Sequence, residues 1–153
     1  MQLSEHQLKQ YNTAGFISFQ HFFSPRETRA LRLELKRIYA AELGAGNGIN
    51  CAVQTDGTKR ENYGEKQNLQ VIPLSNRSDY YRSLPFHPKV LSVVKQLIGD
   101  SFILKLDQAF WKPAKNGIGT SWHQDNAYFN ISDPMRGTAM WIAIHNANLD
   151  NGC

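Results

Sequence analysis

Apolar residues recur along this chain with two periods, helical up to Gly99 and alternating beyond it. The first helical signal is a capping box, in which Ser4 can cap and Gln7 can reach back to it. A short helix should follow, with Leu3 and Leu8 able to pack as a staple, and Gly15 should stop it. Phe16-Ile17-Ser18-Phe19 then reads as a strand of aromatic and β-branched residues. A second box follows, with Ser24 as cap, Pro25 in the first helical position and Glu27 completing it. Leu31, Leu35 and Ile38 continue at helical spacing to a stop at Gly44. From Gly44 to Glu65 the chain is rich in Gly, Asn and Thr, which suits either a lid or a surface insertion. A strand is expected around Leu69-Gln70-Val71-Ile72. Pro88 then starts a helix whose stripe is Val90, Leu91, Val94, Leu97 and Ile98, ended by Gly99.

After Gly99 the alternation predicts strands. Ser101 to Trp111 reads as one long strand, with Phe102, Leu104, Leu106, Gln108 and Phe110 on a shared face. Gln108 is the polar member of that apolar set, so it should pair with backbone or face a polar ligand. Lys112 to Gly119 is a loop by its Pro and Gly content. A strand carrying His123 is expected next. Thr138 to Ala147 makes another, with Trp141, Ala143 and His145 on one face and Met140, Ile142 and Ile144 on the other. Asn148 to Gly152 is turn chemistry, and its Asn-Gly is a hairpin signal.

Composition changes this picture little. The chain has 153 residues, 41% of them hydrophobic and 20% charged, which suits a single globular domain over 1–153. A net charge of +4 without a basic block gives no nucleic-acid footprint. No apolar run is long enough for a membrane span. Cys51 and Cys153 form no C-x-x-C or disulfide framework, and Met1 to Glu5 has no secretory character. A cytoplasmic setting is the expectation.

The candidate chemistry sits in Thr120 to Phe129. On an extended strand His123 and Asp125 would point to one face, bringing an imidazole nitrogen and a carboxylate oxygen together. Those are two of the three donors of a 2-His-1-carboxylate site for non-haem Fe(II). The tripeptide alone also fits the polar face of a surface strand. A zinc hydrolase site would use similar donors, but no H-E-x-x-H spacing accompanies them. Asn126, Tyr128 and Phe129 are candidates for substrate contact, with ordinary core as the plainer role for the two aromatics.

Taken together, "WHQDNAYF", "MWIAIHNA" and "NLDNGC" resemble the phytanoyl-CoA dioxygenase family, and the resemblance runs along the whole chain. Its specific parts are the His-Gln-Asp motif, a Trp eighteen residues after His123 and the closing Asn-Gly-Cys. The resemblance implies an α+β fold with N-terminal helices packed on a double-stranded β-helix (jelly roll), incomplete at the C-terminus. It implies an Fe(II)- and 2-oxoglutarate-dependent dioxygenase that uses molecular oxygen to hydroxylate a small organic molecule. His123 and Asp125 correspond to metal ligands. Gln108, Gln124 and Trp141 correspond to positions around the co-substrate, with Lys66 a further candidate; Asn126 and Tyr128 would face substrate. Family members place a distal His ligand and a co-substrate Arg after the Asn-Gly-Cys turn. His145 does not suit that role, because on a strand it lies about 13 Å along from Trp141 at ~3.3 Å per residue. The expectation is therefore a front portion of a longer enzyme, inactive by itself, with a non-catalytic binding module as the alternative.

Overall fold

The computed structural model describes residues 1–47, 49–51, 67–133 and 136–151. Both capping boxes form, and each starts a helix at the expected residue. Helix α1, Glu5–Ala14, is capped by Ser4, whose Oγ accepts from Gln7 N while Gln7 Oε1 accepts from Ser4 N. Gly15 ends it at φ 79°, a left-handed conformation that a Cβ would oppose. Helix α2, Pro25–Gly44, starts the same way, with Ser24 Oγ accepting from Glu27 N and Glu27 Oε2 accepting from Ser24 N.

The apolar stripe of α2 is the centre of the core. Leu31, Leu35, Ile38 and Tyr39 are buried, and they pack with Phe23, Leu74, Tyr81 and Val90. Burying a side chain of this size stabilises the fold by about 1.5–3 kcal/mol each. Helix α4, Pro88–Ile98, adds Val90 and Val93, the latter outside the expected stripe. His87 caps α4 through Nδ1, which accepts from Lys89 N at 3.2 Å. Between these helices lies the short helix α3, Asp79–Ser83, flanked by single 3-10 turns at Leu74–Asn76 and Leu84–Phe86. The sequence reading missed α3, although Ser78 caps it by accepting from Tyr81 N.

Strands β1 (Ile49–Asn50), β2 (Leu69–Val71) and β3 (Ala109–Trp111) form an antiparallel sheet in the order β1-β2-β3. Leu69 pairs with Trp111, Gln70 with Phe110 and Val71 with Ala109. Leu69 and Val71 share one face and bury it in the core around α2. Gln70 therefore stands on the opposite, open face. Tyr39 fixes the sheet to α2, since its hydroxyl lies 3.1 Å from Leu69 O and 2.9 Å from Ala109 O. The observed class is thus α+β, with this three-stranded sheet as its strand component among the described residues.

Several expected strands are corrected. Phe16–Phe19 is not a strand, and of Ser101–Trp111 only Ala109–Trp111 joins a ladder. Thr138–Ala147 forms no ladder among the described residues. Alternation prepares a segment to be extended, but a strand exists only where a partner supplies backbone hydrogen bonds. The last segment is held in another way. Ile142 and Ile144 pack against the core, and Arg32 donates from Nε and Nη2 to Ile144 O at 3.1 and 2.9 Å. Their inward orientation matches the expected alternation.

Candidate metal centre

The loop leading to His123 is pinned to the start of β2. Gln67 N donates to Asn116 O at 2.7 Å, Ile118 N to Gln67 O at 3.1 Å, and Asn68 Nδ2 to Thr120 Oγ1 at 3.3 Å. Gly117 is required in this loop, because a Cβ there would lie 2.9 Å from both Lys112 Cβ and Pro113 O. Residues 121–124 then run without a ladder, and Asp125 turns into the one-turn helix α5, Asn126–Phe129. The expected His123 strand is therefore a turn: Asp125 is helical at φ −54° and ψ −35°, and its carbonyl accepts from Tyr128 N and Phe129 N.

The turn brings the two side chains together all the same. His123 Nε2 lies 3.4 Å from Asp125 Oδ1. His123 Nδ1 is 2.7 Å from Ser121 O, and a carbonyl can only accept, so Nδ1 carries the proton. In the neutral ring Nε2 is then a lone pair facing a carboxylate. Two such donors repel unless a proton or a metal cation stands between them. The Tyr128 ring meets the imidazole edge to face, with centroids 6.4 Å apart. The pair is open to solvent, the side chains being 43% and 57% exposed.

The other candidates are placed separately. Asn126 engages its own loop, donating from Nδ2 to Ile131 O and accepting Ile131 N at Oδ1. Gln124 is exposed, and its carbonyl accepts from Ala127 N. Gln108 Oε1 accepts from Gln70 Nε2 at 2.6 Å. Trp141 is 74% exposed on the outward side of the segment held by Arg32. Among the described residues neither Gln108 nor Trp141 hydrogen-bonds or stacks with His123 or Asp125. Lys66 lies outside the described residues. His145, exposed on the same segment as Trp141, is shifted below its ordinary pKa by burial of the ring and then by the charges of Arg32 and Lys36.

The sequence pattern of the phytanoyl-CoA dioxygenase family (PhyH) matches residues 11–153. The chain belongs to this family. Among curated proteins it is similar to the mouse "Phytanoyl-CoA dioxygenase domain-containing protein 1", at 26% identity over 187 aligned positions. The rat protein of the same name matches equally, and in both cases the alignment covers 99% of this chain. The chain spans 63% of the length of these relatives. No solved structure matches it.

The family implies iron, and the donor pair can be tested for fit. Two neighbouring ligands at ~2.1 Å from a metal are roughly 3.0 Å apart at a right angle and somewhat further apart at a tetrahedral one. The separation of 3.4 Å falls in that range, and imidazole with carboxylate is the right donor chemistry. The pair fits two coordination positions. Among the described residues, no third His, Cys, Asp or Glu joins it in a cluster able to hold a metal. The sequence reading missed Ser121, which sets the tautomer through a backbone carbonyl and so leaves no side-chain signal. It also passed over Gln70, although Leu-Gln-Val alternation places a polar group on the far side of β2.

Proposed function

We propose that this chain carries the metal-binding face of an Fe(II)- and 2-oxoglutarate-dependent dioxygenase that hydroxylates a small organic molecule. The observation that carries the reading is the His123 Nε2 held 3.4 Å from the Asp125 carboxylate, in a chain of the phytanoyl-CoA dioxygenase family. On this reading the three-stranded sheet is part of a jelly roll, and the protein works in the cytoplasm with molecular oxygen and a small-molecule substrate.

His123 Nε2 and Asp125 Oδ1 would hold the metal. Bound there with 2-oxoglutarate and oxygen, it would supply the oxidation of an unactivated C–H bond. Ser121 O keeps His123 in the tautomer that leaves Nε2 free to ligate, as outer hydrogen bonds to ligating histidines commonly do. The Tyr128 ring stands edge to face beside the imidazole. Gln108 and Gln124 would orient the co-substrate, with Lys66 as a further contact, and Trp141 would close its pocket. Asn126 shapes the loop beneath the metal site by bridging both backbone groups of Ile131.

Mn(II) is a redox-silent probe of the site. Residues 1–153 should bind it in a paramagnetic-relaxation titration, and either His123→Ala or Asp125→Ala should remove that binding. Succinate release from 2-oxoglutarate should need a third donor completing the triad, and His123→Ala should abolish it in such a chain. Mn(II) binding that survives both substitutions would overturn the assignment. No binding by the unsubstituted chain would favour a non-catalytic binding module.

A further inference from the structure

The solvent side of α2 carries a second stripe that the core does not use. Arg26, Arg29, Leu33, Lys36, Ala40 and Leu43 follow one another in alternating steps of three and four residues. That spacing sets them along one line of the helix, the kind of seam on which a partner helix lies. All six are exposed, Leu33 at 60% and Leu43 at 45%. The buried residues Leu31, Leu35, Ile38 and Tyr39 run along the other side, so core packing does not explain the second stripe. From Arg26 to Leu43 it is about 25 Å long at ~1.5 Å per residue, close to five turns.

Charge is sorted across the same helix. Its three acids turn toward the packed side, and each is engaged there: Glu27 with Ser24 N and His87, Glu34 with Arg37, and Glu42 with Arg77. Arg26, Arg29 and Lys36 have no ion pair among the described residues. Arg26 even stands in the first turn, where the helix dipole disfavours a cation, so the stability of α2 does not call for it. The stripe is thus cationic at its start, mixed at Leu33 and Lys36, and apolar at its end.

We propose that this stripe is the docking surface for an acidic amphipathic helix of a partner protein. Its carboxylates meet Arg26, Arg29 and Lys36, and its apolar residues cover Leu33, Ala40 and Leu43. Charge chooses this occupant. A second copy of the chain laid on the same stripe would bring three cations from each side into one seam, with no carboxylate to answer them. An anionic membrane would satisfy the cations, but surface helices of that kind sink a broad apolar face into the lipid. The broad apolar face of α2 is already buried in the core. A partner helix supplies acids and apolar groups at the same three-and-four spacing.

A fluorescein-labelled model helix of about 20 residues spans the stripe and serves as the probe. It carries glutamates in one half and leucines in the other, three and four apart, and is made in both chain directions. Anisotropy titrated with residues 1–153 should show saturable binding in at least one direction, weakening as salt rises. Arg29→Glu together with Lys36→Glu should weaken binding about tenfold or more, since two exposed attractions become repulsions. The same peptide with lysine for glutamate should bind this variant and not the parent. Both positions are exposed, and far-UV circular dichroism should show the helix content unchanged. No binding in either direction, or binding indifferent to the charge reversal, would overturn the proposal. Vesicles containing phosphatidylserine that bind the parent but not the reversed variant, without peptide binding, would overturn it in favour of a membrane. Self-association abolished by Leu33→Ser, again without peptide binding, would overturn it in favour of a second copy.

Discussion

Tyr39 does at the residue scale what no pattern of apolar residues could announce. Its ring lies in the core of α2 and meets Trp111 edge to face, while its hydroxyl reaches the carbonyls of two strands. Tyr39→Phe should lower stability by about 1–3 kcal/mol in urea unfolding, because it takes a donor from buried carbonyls. Burial raises the phenol above its ordinary pKa of 10.0, with Cys51 and Tyr81 adding to the shift. A raised folded-state pKa means that the protonated phenol contributes stability below the unfolded value, and that this contribution is lost as pH rises past it. Stability should therefore fall on the alkaline side of pH ~10. Tyr81, buried and raised in the same sense, shares that dependence, so Tyr39→Phe should flatten the alkaline slope without removing it. An unchanged slope, followed by circular dichroism, would place the ionisation elsewhere.

At the scale of elements, α1, α2 and α4 were legible, whereas of the expected strands only β2 and the end of Ser101–Trp111 joined a ladder. Every bond in the capping box of α2 joins residues three apart, so the sequence alone contains both partners. Ser24→Ala should destabilise the protein by ~1 kcal/mol, and Ser24→Asp should recover most of it, measured as the urea midpoint. An alanine variant as stable as the parent would mean that Pro25 alone sets the start of α2. The segment around Trp141 shows the opposite case. Its alternation correctly places Ile142 and Ile144 inward, yet it is fastened by Arg32 rather than by a neighbouring strand. Nothing local to Thr138–Ala147 names that arginine, which is 112 positions away.

For the whole molecule, the uneven distribution of packing has a consequence. The core gathers around α2, β2 and α4, while the segment following α4 leaves Ile103 84% and Leu104 47% exposed. Trp122, Trp141 and Phe110 add further apolar surface, and among the described residues β1 and β3 are the edges of the sheet. Exposed apolar edges of this kind template association. Residues 1–153 should self-associate as concentration rises, seen as a growing weight-average mass in light scattering. A constant monomeric mass up to high concentration would show that this surface is covered in solution. Among the described residues no helix is long and apolar enough to cross a membrane.

The sequence by itself determined α1, α2 and α4, their caps and the inward stripe of α2, because a helix satisfies its backbone within four residues of itself. It also determined which residue types could hold a metal. Tertiary structure decided how they meet. The His123 and Asp125 side chains converge through a turn into α5, not along a strand, because the ladder that would have kept residues 121–124 extended is not formed. Gln70 and Gln108 are 38 positions apart, and only antiparallel pairing of β2 with β3 makes them neighbours. Partners so distant in sequence are chosen by the closure of the chain on its core, which no local pattern encodes.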